Sequence, residues 1–468
     1  MGKHLYSIIV IMLLSIYSEG QELLWFRSFV SVDSFLLMRR NEVGLHGNVY
    51  CYGRFNGTQD FDPSPSSEYL LGSVTPSLDN YLTMLDAQGN FVWAKSIGSK
   101  RDDVALDITL DTKGYIYLTG SYSDTIDLDP GPDTALFVPS HAGTTAFLLK
   151  LDSSGNFIWA KTFPTTWASV SEEVLFDSKG NIFVTGGFKG TGDFDPGNGV
   201  YQMSTNDDGQ FYLLKLDSAG NFLWAKQGQS IADSGGSGGG SISIDGNDNV
   251  YMGGSFNGKV DFAPGNSGHS LTSITFSKSD MLVCNFSNVR GVLVWVDQLG
   301  SNAIDAKAKV KVDKLGNLYV FNGFTDSIDV DPGPGRVLLD PTGSSDGFFA
   351  NLNSLTGDLV WVKQIGGNDQ DGVTWITIDE SYNLYVQGFF SDSVDLDPGP
   401  GVSMAYTDAN IEAYMLKLNQ AGNLLWEWHT LSSRKSLFGE LMFGNNGEFY
   451  LSGVFGDTLS LNIENDSV

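Results

Sequence analysis

Apolar and polar residues alternate through Val104-Ala-Leu-Asp-Ile-Thr-Leu-Asp111, the pattern of a strand with one buried face. Thr112-Lys113-Gly114 turns the chain. Tyr115-Ile-Tyr-Leu-Thr-Gly-Ser-Tyr122 then supplies a partner strand rich in aromatic and β-branched residues. A long connection runs from Asp124 to about Gly143. Ala146-Phe-Leu-Leu-Lys-Leu-Asp152 follows, then the turn Ser153-Ser-Gly155 and the strand Phe157–Phe163. The two short turns read as tight hairpins, so the stretch predicts four antiparallel strands, A to D.

The pattern recurs. Strand D carries Asn90-Phe-Val-Trp-Ala-Lys95, Asn156-Phe-Ile-Trp-Ala-Lys161 and Asn221-Phe-Leu-Trp-Ala-Lys226, with looser copies at Trp25, Trp295, Trp361 and Trp426. Successive tryptophans lie 68, 66, 65, 71, 66 and 65 residues apart. A period of that length marks a stacked or ring-shaped repeat architecture. Strand B returns at Val49–Phe55, Ile182–Phe188, Val250–Phe256, Leu318–Phe324, Leu384–Phe390 and Phe449–Phe455. Strand C returns around Leu85, Leu149, Leu214, Val283, Ala350 and Leu416. One four-stranded sheet cannot bury both of its faces, whereas several packed face to face can. The expectation is therefore all-β: a seven-bladed β-propeller of four-stranded antiparallel blades. The tryptophans should pack between neighbouring sheets.

The ends bear on closure. Leu23–Phe29 reads as a D strand with nothing before it, and Leu437–Phe443 and Phe449–Phe455 read as the A and B strands of a last repeat. The N-terminal strand would close that last blade, removing exposed edges. No strand C follows before Val468, so the last blade is expected to be incomplete at the C-terminus.

Composition refines this picture. With 41% hydrophobic and 18% charged residues the chain is globular. Its net charge of −28 opposes nucleic-acid and anionic-lipid partners. Cys51 and Cys284 fall in predicted strands of different repeats and read as small buried side chains, not a disulfide framework. Lys3 and His4 precede the apolar run Tyr6–Tyr17, and Ser18-Glu19-Gly20 resembles a cleavage site. Residues 1–20 are expected to be a secretory signal peptide and residues 21–468 a single β-propeller domain, secreted or at the cell surface. No membrane insertion is expected, and the propeller should be monomeric.

The turn and strand Asp177-Ser-Lys-Gly-Asn-Ile-Phe-Val-Thr-Gly186, together with the recurring Lys-Leu-Asp-x-x-Gly-Asn-x-x-Trp, resembles the bacterial β-propeller repeat family of SBBP type. The resemblance covers nearly all of the chain after residue 20. It implies a propeller and an exported protein, and no fixed activity. The turn Asn353-Ser-Leu-Thr-Gly-Asp-Leu-Val-Trp361 also looks like the tryptophan-docking motif of quinoprotein dehydrogenases. Shared packing accounts for that likeness, because no dedicated quinone ligands can be assigned.

Candidate chemistry centres on the connection after strand B. It reads Asp60-Phe-Asp62-Pro, Asp127-Leu-Asp129-Pro-Gly, Asp193-Phe-Asp195-Pro-Gly, Asp329-Val-Asp331-Pro-Gly and Asp395-Leu-Asp397-Pro-Gly, with degraded copies at Asp261-Phe-Ala263 and Ser460-Leu-Asn462. These loops should emerge at one end of the strands, with Asp103, Asp305 and Asp371 of the D–A connections beside them. Two readings compete. The aspartates cap their own backbone before a Pro-Gly bend, or Asp127, Asp129, Asp329, Asp331, Asp395, Asp397, Asp103, Asp305 and Asp371 hold calcium, which needs ~6–8 oxygens.

Enzymatic signatures are thin. His46, His141, His269 and His429 lie in different repeats, and no His/Cys cluster has zinc spacing. A Gly-x-Ser-x-Gly match around Ser237 lacks the strand and helix of a nucleophile elbow, and Gly235–Gly240 reads as a flexible D–A loop. The expected function is a binding or scaffolding module for a protein or glycan at the cell surface, with the acidic loops as contact surface. The alternative is a calcium-dependent hydrolase or lyase acting on carbohydrate or phosphate esters. Repeat four, with Ala263, the glycine run and Cys284, departs furthest from its siblings.

Overall fold

A computed structural model of the chain describes residues 5–17, 20–32, 35–74, 77–139, 143–205, 208–264, 268–408, 411–432, 435–444, 448–455 and 459–461. Every regular element among them is a strand. Contacts divide the chain into two compact units, residues 1–138 with 149–160 and 375–468, and residues 139–148 with 161–374.

The fold is all-β and of propeller type, but the expected count of seven four-stranded blades is not met. Five sheets have four strands, with second strands Val49–Phe55, Ile116–Tyr122, Ile182–Lys189, Asn317–Phe324 and Glu448–Phe455. There are thus five such blades and not the expected seven, and two larger sheets depart from the four-stranded pattern. Leu459–Leu461 pairs with Leu424–Ser432 and adds a fifth strand to the sheet containing Leu384–Phe390. Leu293–Ser301 reaches far enough for Gly300 and Ser301 to pair with Asp329 and Ile328. That extension fuses a hairpin of the next repeat to the sheet containing Val250–Asp261, and Ser270–Thr272, paired with that strand, brings the total to seven.

The expected gap in the last blade is also corrected. Leu5–Tyr17 lies between Gly20–Val32 and Glu448–Phe455, in the place of strand C. The pairing runs from Ile8 opposite Phe455 to Ser15 opposite Glu448. An internal strand needs backbone partners on both sides, and this segment supplies them.

The repeating signatures now have packing roles. Each Trp of strand D meets the second residue of its own strand B: Tyr50 with Trp93 at 6.2 Å, Tyr117 with Trp159 at 5.9 Å, Phe183 with Trp224 at 5.7 Å and Tyr385 with Trp426 at 5.8 Å. The indole then reaches the C–D turn of the next repeat. Trp25 Nε1 donates to Ala87 O at 2.9 Å, Trp224 Nε1 to Asn288 O at 3.2 Å and Trp295 Nε1 to Ser354 O at 3.0 Å. A methyl group on the turn glycine would collide with the ring, at 2.8 Å for Gly89 against Trp25 and 2.7 Å for Gly291 against Trp224. Glycine is required twice over, since φ is +74° at Gly89 and +59° at Gly291.

The Lys of Lys-Leu-Asp reaches back to the A–B turn. Lys215 pairs with Asp177 at 2.8 Å and Lys417 with Asp379 at 3.5 Å, their ammonium groups lying over Phe183 and Tyr385. The turn aspartate in turn accepts the amides two and four residues on, as Asp177 Oδ1 does from Lys179 and Asn181.

The glycine run is a strand, not the expected loop. Gln229–Ile244 pairs with Val250–Asp261, placing Ser237 opposite Phe256. A side chain at Gly238 would meet Lys307 Cε at 3.2 Å, and one at Gly240 would meet Lys307 Cβ and Cδ at 3.1 Å. The glycines leave a channel for the Lys307 stem, whose ammonium bonds Gly239 O at 3.0 Å and pairs with Glu172. Ser237 Oγ donates to Gln210 Oε1 at 2.6 Å, a buried structural bond.

Replacing Trp224 by Phe removes the indole donor and leaves the Asn288 carbonyl with one partner fewer. The expected loss is about 1–2 kcal/mol of unfolding free energy, read as a lower urea midpoint with unchanged slope. A midpoint equal to wild type would exclude a role for this docking bond in stability.

Candidate functional site

The connection after strand B is a small hairpin. Thr58–Asp60 pairs with Leu70–Gly72, Thr191–Asp193 with Gln202–Ser204, and Ser393–Asp395 with Met404–Tyr406. The residue between the two aspartates is its anchor: Phe61, Leu128, Phe194, Val330 and Leu396 are all buried. Burying that side chain leaves its two neighbours facing the loop.

The first aspartate closes the hairpin with one oxygen. Asp60 Oδ1 accepts the amides of Asp62 and Tyr69, both at 2.9 Å. Asp127 Oδ1 accepts those of Asp129 at 3.1 Å and Ala135 at 2.8 Å, and Asp193 Oδ1 those of Asp195 at 3.0 Å and Tyr201 at 2.8 Å. Asp329 does the same with Asp331 and Val337, and Asp395 with Asp397 and Ser403. The second aspartate holds the bend. Oδ1 of Asp129, Asp195, Asp331 and Asp397 accepts the amide of Gly131, Gly197, Gly333 and Gly399, and Asp62 accepts that of Ser64. Among the described residues, no three His, Cys, Asp or Glu side chains gather closely enough to share a metal ion.

Asp103, Asp305 and Asp371 are buried. Each backbone amide bonds the carbonyl just before strand C of the preceding repeat: Asp103 to Leu78, Asp305 to Ser279 and Asp371 to Ser345, all at 2.8 Å. The adjoining residue that opens strand C is also acidic and fully buried, namely Asp79, Asp280 and Asp346. In other repeats serine takes the D–A place: the backbone amides of Ser169, Ser237 and Ser436 donate to the carbonyls of Thr144, Gly209 and Ile411. Sequence reasoning found one half of these pairs and missed the other. A polar residue opening an otherwise apolar strand C was the available signal.

Burial governs the protonation of these carboxyls. It pushes Asp79 up to about 6, partly offset by hydrogen bonds from Val74 and Ser77. Asp103 is pushed up to about 8 by burial, against the Ser99 hydrogen bonds that favour its charged form, with the charges of Asp79 and Asp102 adding to the rise. Burial likewise raises Asp280 to about 6. Both cysteine thiols are buried, free and pushed up by the same cause.

These features define a repeat-built, all-β protein of propeller type whose recurrent acids are hydrogen-bonded to its own backbone. No protein-family model matches the chain. It is 22% identical over 434 residues to an uncharacterized WD repeat-containing protein of Acanthamoeba polyphaga mimivirus. That alignment covers 80% of this chain and 31% of the viral protein, so the chain spans about a third of the relative's length. Among solved structures, a protein of unknown function from Bacteroides caccae is similar at 11% identity, covering 74% of this chain and 89% of that one with a TM-score of 0.35. A quinohemoprotein alcohol dehydrogenase from Pseudomonas putida is similar at 9% identity, covering 97% and 75%, with a TM-score of 0.36. Structural likenesses this distant carry no chemistry across.

Because Asp79, Asp103 and Asp280 hold protons in the folded chain that the unfolded chain releases near pH 4, their stabilising contribution is full below pH 4. It is lost as pH rises through about 6 for Asp79 and Asp280 and about 8 for Asp103. Urea midpoints should therefore fall between pH 5 and pH 8.5. Asp103→Asn, neutral at every pH, should flatten the upper part of that fall, and a wild-type midpoint that rises over this range would contradict the assignment.

Proposed function

We propose that the chain is an exported binding scaffold whose acidic hairpins are its contact surface. One observation carries the reading. The hairpins set strongly exposed aliphatic side chains, Val138, Val200 and Val402, on the same loops as rigidly held aspartates. An aliphatic knob beside fixed carboxylates suits a protein partner that offers an apolar socket with a basic rim. The WD-repeat name of the viral relative supports a protein-binding role of this general kind. A glycan partner at the cell surface belongs to the same proposal.

Calcium joins this reading through the carboxylate oxygens that the loop amides leave over. If it binds, the melting midpoint rises with added calcium and falls with chelator; an equal midpoint in both retires it. Export rests on the residue 1–20 leader. The exported chain should begin at Gln21 by N-terminal sequencing, and a chain that retains Leu5–Tyr17 would remove the leader and keep that segment as a strand.

The surface itself is tested by Val138→Asp, Val200→Asp and Val402→Asp made together. These exposed changes should leave the melting midpoint within a degree or two. Retention of the native partner from a cell-surface extract should drop at least tenfold. Undiminished retention would show that the hairpins are not the contact surface.

A further inference from the structure

A cleft of about 330 Å³ opens between repeats three and four, lined by Tyr201, Lys226, Gln227, Ala263, Phe286 and Gly291 among others. Its chemistry follows from two departures from the repeat. In the first repeat pair, Lys95 lies over the next C–D turn, with its Cε 3.4 Å from where a Gly155 methyl would sit. Against burial, which raises it, the hydrogen bonds from Asn156 and Ser154 hold the Asp152 carboxylate of that turn below the usual range, with the nearby Lys95 charge contributing last. Lys226 occupies the same place over Gly291, with its Cε 2.9 Å from the corresponding point. The turn there begins at Ser287, whose amide bonds Val292 O as the Asp152 amide bonds Asn156 O. The counter-charge is therefore replaced by a hydroxyl. The second departure is Ala263, which stands where sibling hairpins carry Asp62, Asp129, Asp195, Asp331 and Asp397.

Lys226 is thus a half-buried cation with no ion pair among the described residues, in a chain of net charge −28. Burial alone shifts its pKa, downward, and no carboxylate contributes. Beside it, Gln227 Nε2 donates to Ser204 O at 2.9 Å, while Gln227 Oε1 is buried with no donor. At the lip stands the Tyr201 ring. Its hydroxyl donates to Ala225 O at 3.0 Å and the ring lies 4.8 Å from Phe222, so a flat aromatic face is held in one orientation.

We propose that this cleft binds an acidic sugar, a uronic acid unit. Its carboxylate pairs with Lys226 and its apolar face lies on Tyr201. The proposal rests on the reading of the chain as a binding module and names one ligand class for one place on it. A cleft of this volume falls at the small end of the ~300–1,000 Å³ usual for small-molecule sites.

The experiment is calorimetric titration of the full chain with D-galacturonate, D-glucuronate and tri-galacturonate, with D-galactose as the neutral control. Saturable binding of at least one uronate is expected, with galactose at least tenfold weaker. Lys226→Gln should weaken the uronate at least tenfold. Ala263→Asp with Ser287→Asp, which restores the sibling pattern around an intact lysine, should abolish it without lowering the melting midpoint. Absence of binding by all three uronates, equal binding of galactose, or unchanged binding by Lys226→Gln would overturn the site. None of those results touches the scaffold reading, which falls only if the hairpin variants keep their partner.

Discussion

The docking of an indole onto the next repeat's turn is the contact on which the rest depends. Each sheet is held internally by backbone pairing, which says nothing about its neighbour. The tryptophan provides that link, because one end of the ring meets an aromatic of its own strand B while its nitrogen bonds a turn carbonyl of the following repeat. Trp25, Trp224 and Trp295 make this bond at 2.9–3.2 Å. The turn must bring glycine under the ring at positive φ. Much of the repeat's grammar follows. The Asp-x-x-Gly-Asn turn presents that glycine, and the aspartate that accepts two amides fixes the turn's shape.

That grammar was legible because a repeat samples the same environment many times. Every copy of strand B begins within a residue of its expected start, although Val250–Asp261 runs five residues beyond the expected Phe256 and Gly20–Val32 outruns the expected Leu23–Phe29 at both ends. What was not legible came from contacts between distant residues. Asp103 stood out by its repetition, but its carboxyl partner Asp79 belongs to the preceding repeat and marks itself only as a polar start to an apolar strand. Gly235–Gly240 looks like a loop because glycine weakens a strand. Only the Lys307 stem passing over Gly238 and Gly240 explains why side chains are absent there. The sheet count failed for a related reason, since two extra residues of pairing at Gly300 and Ser301 suffice to merge neighbouring elements. Leu5–Tyr17 carries the pattern of a leader and also that of a buried strand, as both are continuous apolar runs.

Departures from the pattern carry information that the pattern itself cannot. With Ser287 at the turn and Ala263 in the hairpin, Lys226 lines the cleft without a carboxylate partner among the described residues. Repeat four also holds the glycine strand that admits Lys307, so its divergence has two separate physical consequences, one for packing and one for the cleft. Only the second alters what the surface offers to a ligand.

The same logic recasts the chain's acidity. A net charge of −28 suggests a surface waiting for cations, yet aspartate recurs here chiefly as an acceptor for the chain's own amides. Asp86, Asp152, Asp217 and Asp245 each accept two turn amides, and the hairpin aspartates do likewise. Asparagine performs the same task at Asn419, and Ser287 Oγ accepts one such amide, from Val292, so the geometry and not the charge is what the turn requires. Where such an acid is buried, as at Asp103, burial favours the protonated form and the formal charge overstates the real one. The acidity is thus largely a consequence of turn chemistry repeated many times. The places that matter for recognition are those where that chemistry is broken.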